Sequence, residues 1–228
     1  MTKRIRRKKR AQKRETNWWI IGGMILGGIA LVALVALSFR GQSQLDLAVY
    51  CENNPENCIV EGAADAPVTV VEVSDYGCGH CRNFNTSTAP TIQAEFVETG
   101  RVKWIVMPYA LTDQSGTPRT IASAAAAMCA AEQDKFTDFH LALFALQDDS
   151  SLFNTKEGFM RVAQEVGLDE TAFGSCLADN DYEEIVRRNI TAASNAGIDA
   201  TPSFMLDGEL LPGNQPFSVF QQRIESLE

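Results

Sequence analysis

Apolar and polar positions follow two different rhythms along this chain. Val68-Thr-Val-Val-Glu-Val73 and Val102-Lys-Trp-Ile-Val-Met107 are short runs rich in β-branched and aromatic residues, which predicts two buried strands. Between them Arg82 to Thr99 can be helical, with a kink expected at Pro90. From about Thr117 to Asn195 the period becomes helical. Ala122 to Ala131 is rich in the best helix former, and Phe136, Phe139, His140, Leu143 and Phe144 share one apolar face. His140 reads there as a packed core histidine. Further helices are predicted at Lys156–Val166, with Thr155 as cap and Gly167 as stop, at Glu170–Leu177 and at Tyr182–Ala193. Ser203-Phe-Met-Leu206 and Glu209-Leu-Leu211 flank Asp207-Gly208, the signature of a hairpin. Pro216–Leu227 closes the chain with an amphipathic helix. The order is β-α-β, a helical block, then β-β-α, an α/β fold with a helical insertion at about 115–195.

The N-terminal third has a different character. Nine Lys and Arg residues fall between Lys3 and Arg14, and Trp18 to Phe39 follows without a charge. About 20 apolar residues cross a bilayer core, so the expectation is a cytoplasmic tail at 1–17 and a single transmembrane signal-anchor helix at 18–39. Trp18 and Trp19 suit the interface. A cleaved signal peptide is the alternative, with Ala36-Leu37-Ser38 as a passable cleavage site, although its apolar region should be shorter. Residues 40–61 read as a polar extracytoplasmic tether, and 62–228 as the domain.

Charge sharpens this picture. Residues 1–40 carry ten basic residues and one acid, and the remainder carries ten basic and 28 acidic residues. The basic tail suits an anionic inner leaflet, and the acidic remainder argues against nucleic-acid binding. Outside the cytoplasmic membrane disulfides form and persist, so the six cysteines are expected to be mostly paired. Cys51 and Cys58 bracket the turn cluster Asn53-Asn-Pro-Glu-Asn57, and a small closed loop is the natural reading.

The chemistry concentrates in Cys78-Gly79-His80-Cys81, placed between the first strand and the helix. A Cys-x-x-Cys opening a helix brings two sulfurs close enough to bond, and sets the first over unpaired backbone N–H groups that favour thiolate. Zinc is the rival use of this spacing, but no second Cys-x-x-Cys or His pair follows, and no metal site is expected. Glu72 is an anomaly in a run of valines: a buried carboxylate needs a partner or a task, unless it points out of the sheet edge and is solvated.

With Asp75-Tyr-Gly-Cys-Gly-His-Cys81, Gly62-Ala-Ala-Asp-Ala-Pro-Val68 and Gly197-Ile-Asp-Ala-Thr-Pro202 in place, residues 60–228 resemble the DsbA-like thiol–disulfide oxidoreductases of the thioredoxin fold. The resemblance implies Cys78 as exposed nucleophile, Cys81 as buried resolving thiol and His80 as a tuning group. It also implies Glu72 as a proton relay to Cys81, and Thr201 with a cis-Pro202 as the site that pairs with an extended substrate. Cys129 and Cys176 both fall in the helical block and are expected to pair with each other, the alternative being two free core thiols. The implied activity is an oxidase for exported proteins with free cysteines, without a cofactor, monomeric, and recharged by a membrane quinone-linked partner of the DsbB or vitamin K epoxide reductase type. Three readings compete: a disulfide isomerase or reductase of the same fold, a metal-binding domain for copper delivery, and a redox-silent binding module.

Overall fold

The computed structural model describes residue 28 and residues 45–111 and 119–228. The expected tail at 1–17 and, apart from Gly28, the expected span at 18–39 lie outside the described residues. Among the described residues no helix is long and apolar enough to cross a membrane.

The tether expected at 40–61 is in large part folded. The Asp46 carboxylate accepts the Ala48 N–H at 2.9 Å and caps α1, Leu47–Asn53. Cys51 is joined to Cys58, with an S–S length of 2.04 Å. Strand β1, Ile59–Glu61, follows. Composition concealed this because the buried apolar anchors are few: Leu47 and Cys51, one helical turn apart, and Cys58. The compact unit runs from Gln44 to Glu228.

Five strands form one sheet in the order β1-β3-β2-β4-β5. Strand β2, Val68–Asp75, runs parallel to β3, Val102–Tyr109, and antiparallel to β4, Ser203–Leu206. The hairpin to β5, Glu209–Pro212, turns at Asp207 and Gly208, whose φ angles of 47° and 80° suit a two-residue turn that matches the strand twist. Both edges of the sheet are short, three residues in β1 and four in β5.

Strand alternation divides the core. Val71, Val73, Ile105 and Met107 pack with Leu47, Ala192 and Ala193 on one face. Val68, Val70, Trp104 and Val106 pack with Phe84 and Phe220 on the other. Glu72 shares the parity of Val68 and Val70, which sets its carboxyl beneath the Cys-x-x-Cys helix rather than in solvent.

That helix begins as α2, Gly79–Asn83, widens into a π-type turn at Phe84–Thr88, regains α geometry as α3, Ala89–Ile92, and widens again at Gln93–Val97. Pro90 has no N–H to give the ladder, and the expected disturbance is spread to both sides of it. The insertion contains α4 (Ile121–Ala131), α5 (Phe136–Ala145), α6 (Lys156–Glu165), α7 (Glu170–Asp179) and α8 (Asp181–Asn195). The Thr155 hydroxyl caps α6 by accepting the Gly158 N–H at 3.1 Å. A Cys129–Cys176 disulfide, with Cα atoms 5.9 Å apart, staples α4 to α7. Helix α9, Phe217–Leu227, returns to the sheet.

Candidate active site

Cys78 occupies the N-cap of α2, the position at which a side chain faces the unpaired N–H groups of the first turn. It is partly exposed and Cys81 is buried, and both stand as free thiols. The two sulfurs are driven in opposite directions. Cys78 is lowered to about 5, chiefly by a hydrogen bond from the Cys81 thiol, against some desolvation; contact with Thr201 and the backbone N–H groups of Cys81 and His80 adds to the effect. Cys81 is raised far above the ordinary thiol range, first by burial and then by the neighbouring Cys78. His80 contributes its backbone N–H, while its side chain is exposed.

The loop before β4 completes the rim. The Thr201–Pro202 bond is cis, and Cys78 Sγ lies 3.3 Å from the Thr201 carbonyl oxygen, to which it can donate only as the thiol. The Thr201 hydroxyl is buried beside the two sulfurs and exerts a lowering effect on both.

Beneath the sulfurs lies a polar network that sequence reasoning found only at Glu72. One carboxylate oxygen of Glu72 accepts from Asn85 Nδ2 at 2.8 Å, the other from Trp104 Nε1 at 3.2 Å. Burial pushes Glu72 up to about 7, against the lowering effect of hydrogen bonds from Asn85, Ser74 and Trp104. Ser74 lies against the Cys81 sulfur as well as Glu72. Asn85 also donates to the Cys81 carbonyl at 3.2 Å. Its Oδ1 meets His140 Nε2 at 3.0 Å, and His140 Nδ1 meets the Tyr76 hydroxyl at 2.7 Å. His140 is in the core, as expected, but both ring nitrogens are engaged. The signal was available: a histidine inside an apolar stripe must find two partners. Asn85, one helical turn beyond Cys81, faces the same way.

Two further residues fix the motif loop. Asp75 accepts the Gly77 N–H at 2.7 Å and the Leu111 N–H at 2.9 Å, together with the Thr120 hydroxyl. Gln147, in the single helical turn Leu146–Asp148 that follows α5, donates to the carbonyls of Tyr76 and Cys78. Beside it Arg82 and Asp148 form an ion pair at 2.7 Å. Gln147 carries no sequence signal, because the contact exists only once the insertion folds back. Among the described residues no cluster of His, Cys, Asp and Glu could hold a metal ion.

Comparison with known proteins gives a consistent picture. A family model described as thioredoxin matches residues 54–226. Disulfide bond formation protein D of Bacillus subtilis is 26% identical over 168 residues, covering 73% of this chain and 75% of that protein. A Na(+)/H(+) antiporter NhaA 3 of Salinispora tropica is 30% identical over 184 residues, covering 81% of this chain, but the chain spans only 26% of the antiporter. Among solved structures, oxidised BdbD from Bacillus subtilis matches with a TM-score of 0.64 and 25% identity, over 75% of this chain and 93% of that one.

Proposed function

The chain belongs to the thioredoxin family, and from that premise we propose that it is a thiol–disulfide oxidoreductase that introduces disulfides into exported proteins. The carrying observation is the asymmetry of the thiol pair: an accessible Cys78 lowered to about 5 beside a buried Cys81 driven the other way. A stabilised Cys78 thiolate favours the reduced pair, which makes the disulfide the more oxidising. The similarity to disulfide bond formation protein D supports the same direction.

The reaction follows from the geometry. A substrate thiolate attacks Cys78 Sγ of the Cys78–Cys81 disulfide. The new bond is a mixed disulfide, and Cys81 leaves as a thiolate. Cys81 then takes a proton from Glu72, reached through the Ser74 hydroxyl. A second substrate thiolate attacks the substrate sulfur of the mixed disulfide, and Cys78 leaves as the stabilised thiolate. Two electrons pass from substrate to enzyme, and the substrate departs with a disulfide. Glu72, near 7, suits proton transfer in either direction at neutral pH. Thr201 offers its backbone beside Cys78 for pairing with an extended substrate strand.

The domain works outside the cytoplasmic membrane, held by the charge-free span 18–39 with its basic tail inside. Reoxidation falls to a membrane quinone-linked partner. The test is equilibrium of the full-length chain with glutathione. A potential of about −120 mV fits a disulfide donor, and about −270 mV would instead make the chain a reductant. Full oxidase activity in Cys78→Ser would remove the assignment.

A further inference from the structure

His140 has two hydrogen bonds, and their directions are determined by their neighbours. Asn85 uses Nδ2 toward Glu72 at 2.8 Å, the Cys81 carbonyl at 3.2 Å and Ser74 Oγ at 3.4 Å. All three are acceptors toward that amide, so its other end, Oδ1, is an acceptor facing His140 Nε2. The proton of the imidazole is therefore on Nε2, and Nδ1 is a bare acceptor that receives the Tyr76 O–H. Donation runs one way, from Tyr76 to His140 to Asn85 to Glu72.

We propose that His140 is a positioning residue for the proton-relay acid: it holds the Asn85 amide with its N–H toward the Glu72 carboxylate and prevents the opposite, repulsive orientation. The inference rests on the role proposed for Glu72.

Three features support it. The chain is buried throughout, with Tyr76, His140, Asn85 and Glu72 each at most 5% exposed, so a donor or acceptor left unmatched there is costly. The imidazole is neutral, because burial lowers it to about 3; it supplies direction and no charge. Its ring is clamped by Phe136, Phe144 and Tyr76, at centroid distances of 4.9, 4.8 and 5.3 Å. A cavity of about 220 Å³ borders the same groups, lined by Glu61, Glu72, Asn85, Trp104, Thr137 and His140. The titratable and charged groups around Glu72 are Glu61 from β1, Cys78 and Cys81 from the motif, Tyr76 from the motif loop, His140 from α5 and Glu98 at the cavity edge. Burial, and to a smaller extent Glu61, push Glu72 up, and Asn85 is the foremost of the three hydrogen-bond donors that oppose the rise, ahead of Ser74 and Trp104.

The experiment is a carboxyl-carbon NMR titration of Glu72 in the oxidised full-length chain, labelled at glutamate and assigned with Glu72→Gln. His140→Phe keeps the aromatic packing and removes both hydrogen bonds. Its Glu72 midpoint is expected to rise by about one pH unit, the equivalent of one lost hydrogen bond to a charge. His140→Gln can donate to Asn85 and accept from Tyr76, and is expected to stay with the wild type. Tyr76→Phe removes only the group that fixes the tautomer, and is expected to shift Glu72 the same way by less. An unmoved midpoint in His140→Phe overturns the proposal, and so does a shift as large in His140→Gln. If His140→Phe does not fold, an unmoved Glu72 in Tyr76→Phe overturns it. The titration reads the carboxyl directly, so its outcome does not depend on which way the chain exchanges disulfides.

Discussion

Replacing Glu72 with Gln should stabilise the folded domain at alkaline pH while slowing its chemistry. The carboxyl is 1% exposed, and burial raises it from an ordinary 4.5 to about 7. A carboxyl raised on folding contributes its full stability below its unfolded pKa, and that contribution is lost as pH rises through the folded value. At about 1.4 kcal/mol per pH unit, the rise from 4.5 to about 7 corresponds to about 3 kcal/mol of lost stability above neutrality. Gln carries no charge and escapes this loss. It does bring an amide N–H against the donors Asn85 and Trp104, at a cost of about 1–2 kcal/mol that is the same at every pH. Urea unfolding of the oxidised protein at pH 4.5 and at about pH 8.5 separates the two contributions. The wild type should lose about 3 kcal/mol relative to Glu72→Gln between the two conditions. A stability difference between the two proteins that does not change with pH would refute the burial argument. It would mean that Glu72 is ionised at its ordinary pKa in the fold, and a carboxyl so placed could not hold a proton for Cys81 at neutral pH.

Removing the Cys81 thiol by Cys81→Ala takes away the leading donor to Cys78; its thiolate absorbance midpoint should rise from about 5 by about one to two pH units. The disulfides should differ in weight. Cys129 and Cys176 are separated by 47 positions, worth about 4 kcal/mol in the chain-entropy account, and Cys51 and Cys58 by 7, worth about 2 kcal/mol. Urea midpoints of the paired alanine variants should rank in that order. Gln147→Ala leaves two carbonyls of the motif loop without their donor, and should speed amide exchange at Cys78 and Arg82 at a stability cost of about 1–2 kcal/mol.

Local patterns carried most of the architecture. Val68–Val73 and Val102–Met107 are apolar and β-branched enough to declare themselves, and Asp207-Gly208 dictates its own turn. The motif residues were legible because Cys-x-x-Cys at a strand-to-helix junction encodes its geometry by spacing alone. The N-terminal segment was not legible, because Leu47 and Cys51 acquire a partner surface only when β2 and β3 already exist. Asn85, Ser74 and Trp104 were missed for a related reason. Each is ordinary in its own element, and they meet only through the parallel register that sets Glu72 opposite Val106, two positions from Trp104 on the same face. His140 shows the limit of periodicity, which assigns a side chain to the core without saying what it bonds there.

The short rims of the sheet acquire a meaning from the proposed work. A protein that handles unfolded chains is surrounded by strands seeking a template, and an open sheet edge would recruit them indiscriminately. Here β1 offers three residues and ends on Glu61, while β5 offers four and ends on Pro212, which has no N–H to give. Backbone pairing is thus withheld along both borders and left available at Thr201, beside Cys78. On the proposed function, such blunted edges would keep the domain from co-aggregating with the chains it oxidises.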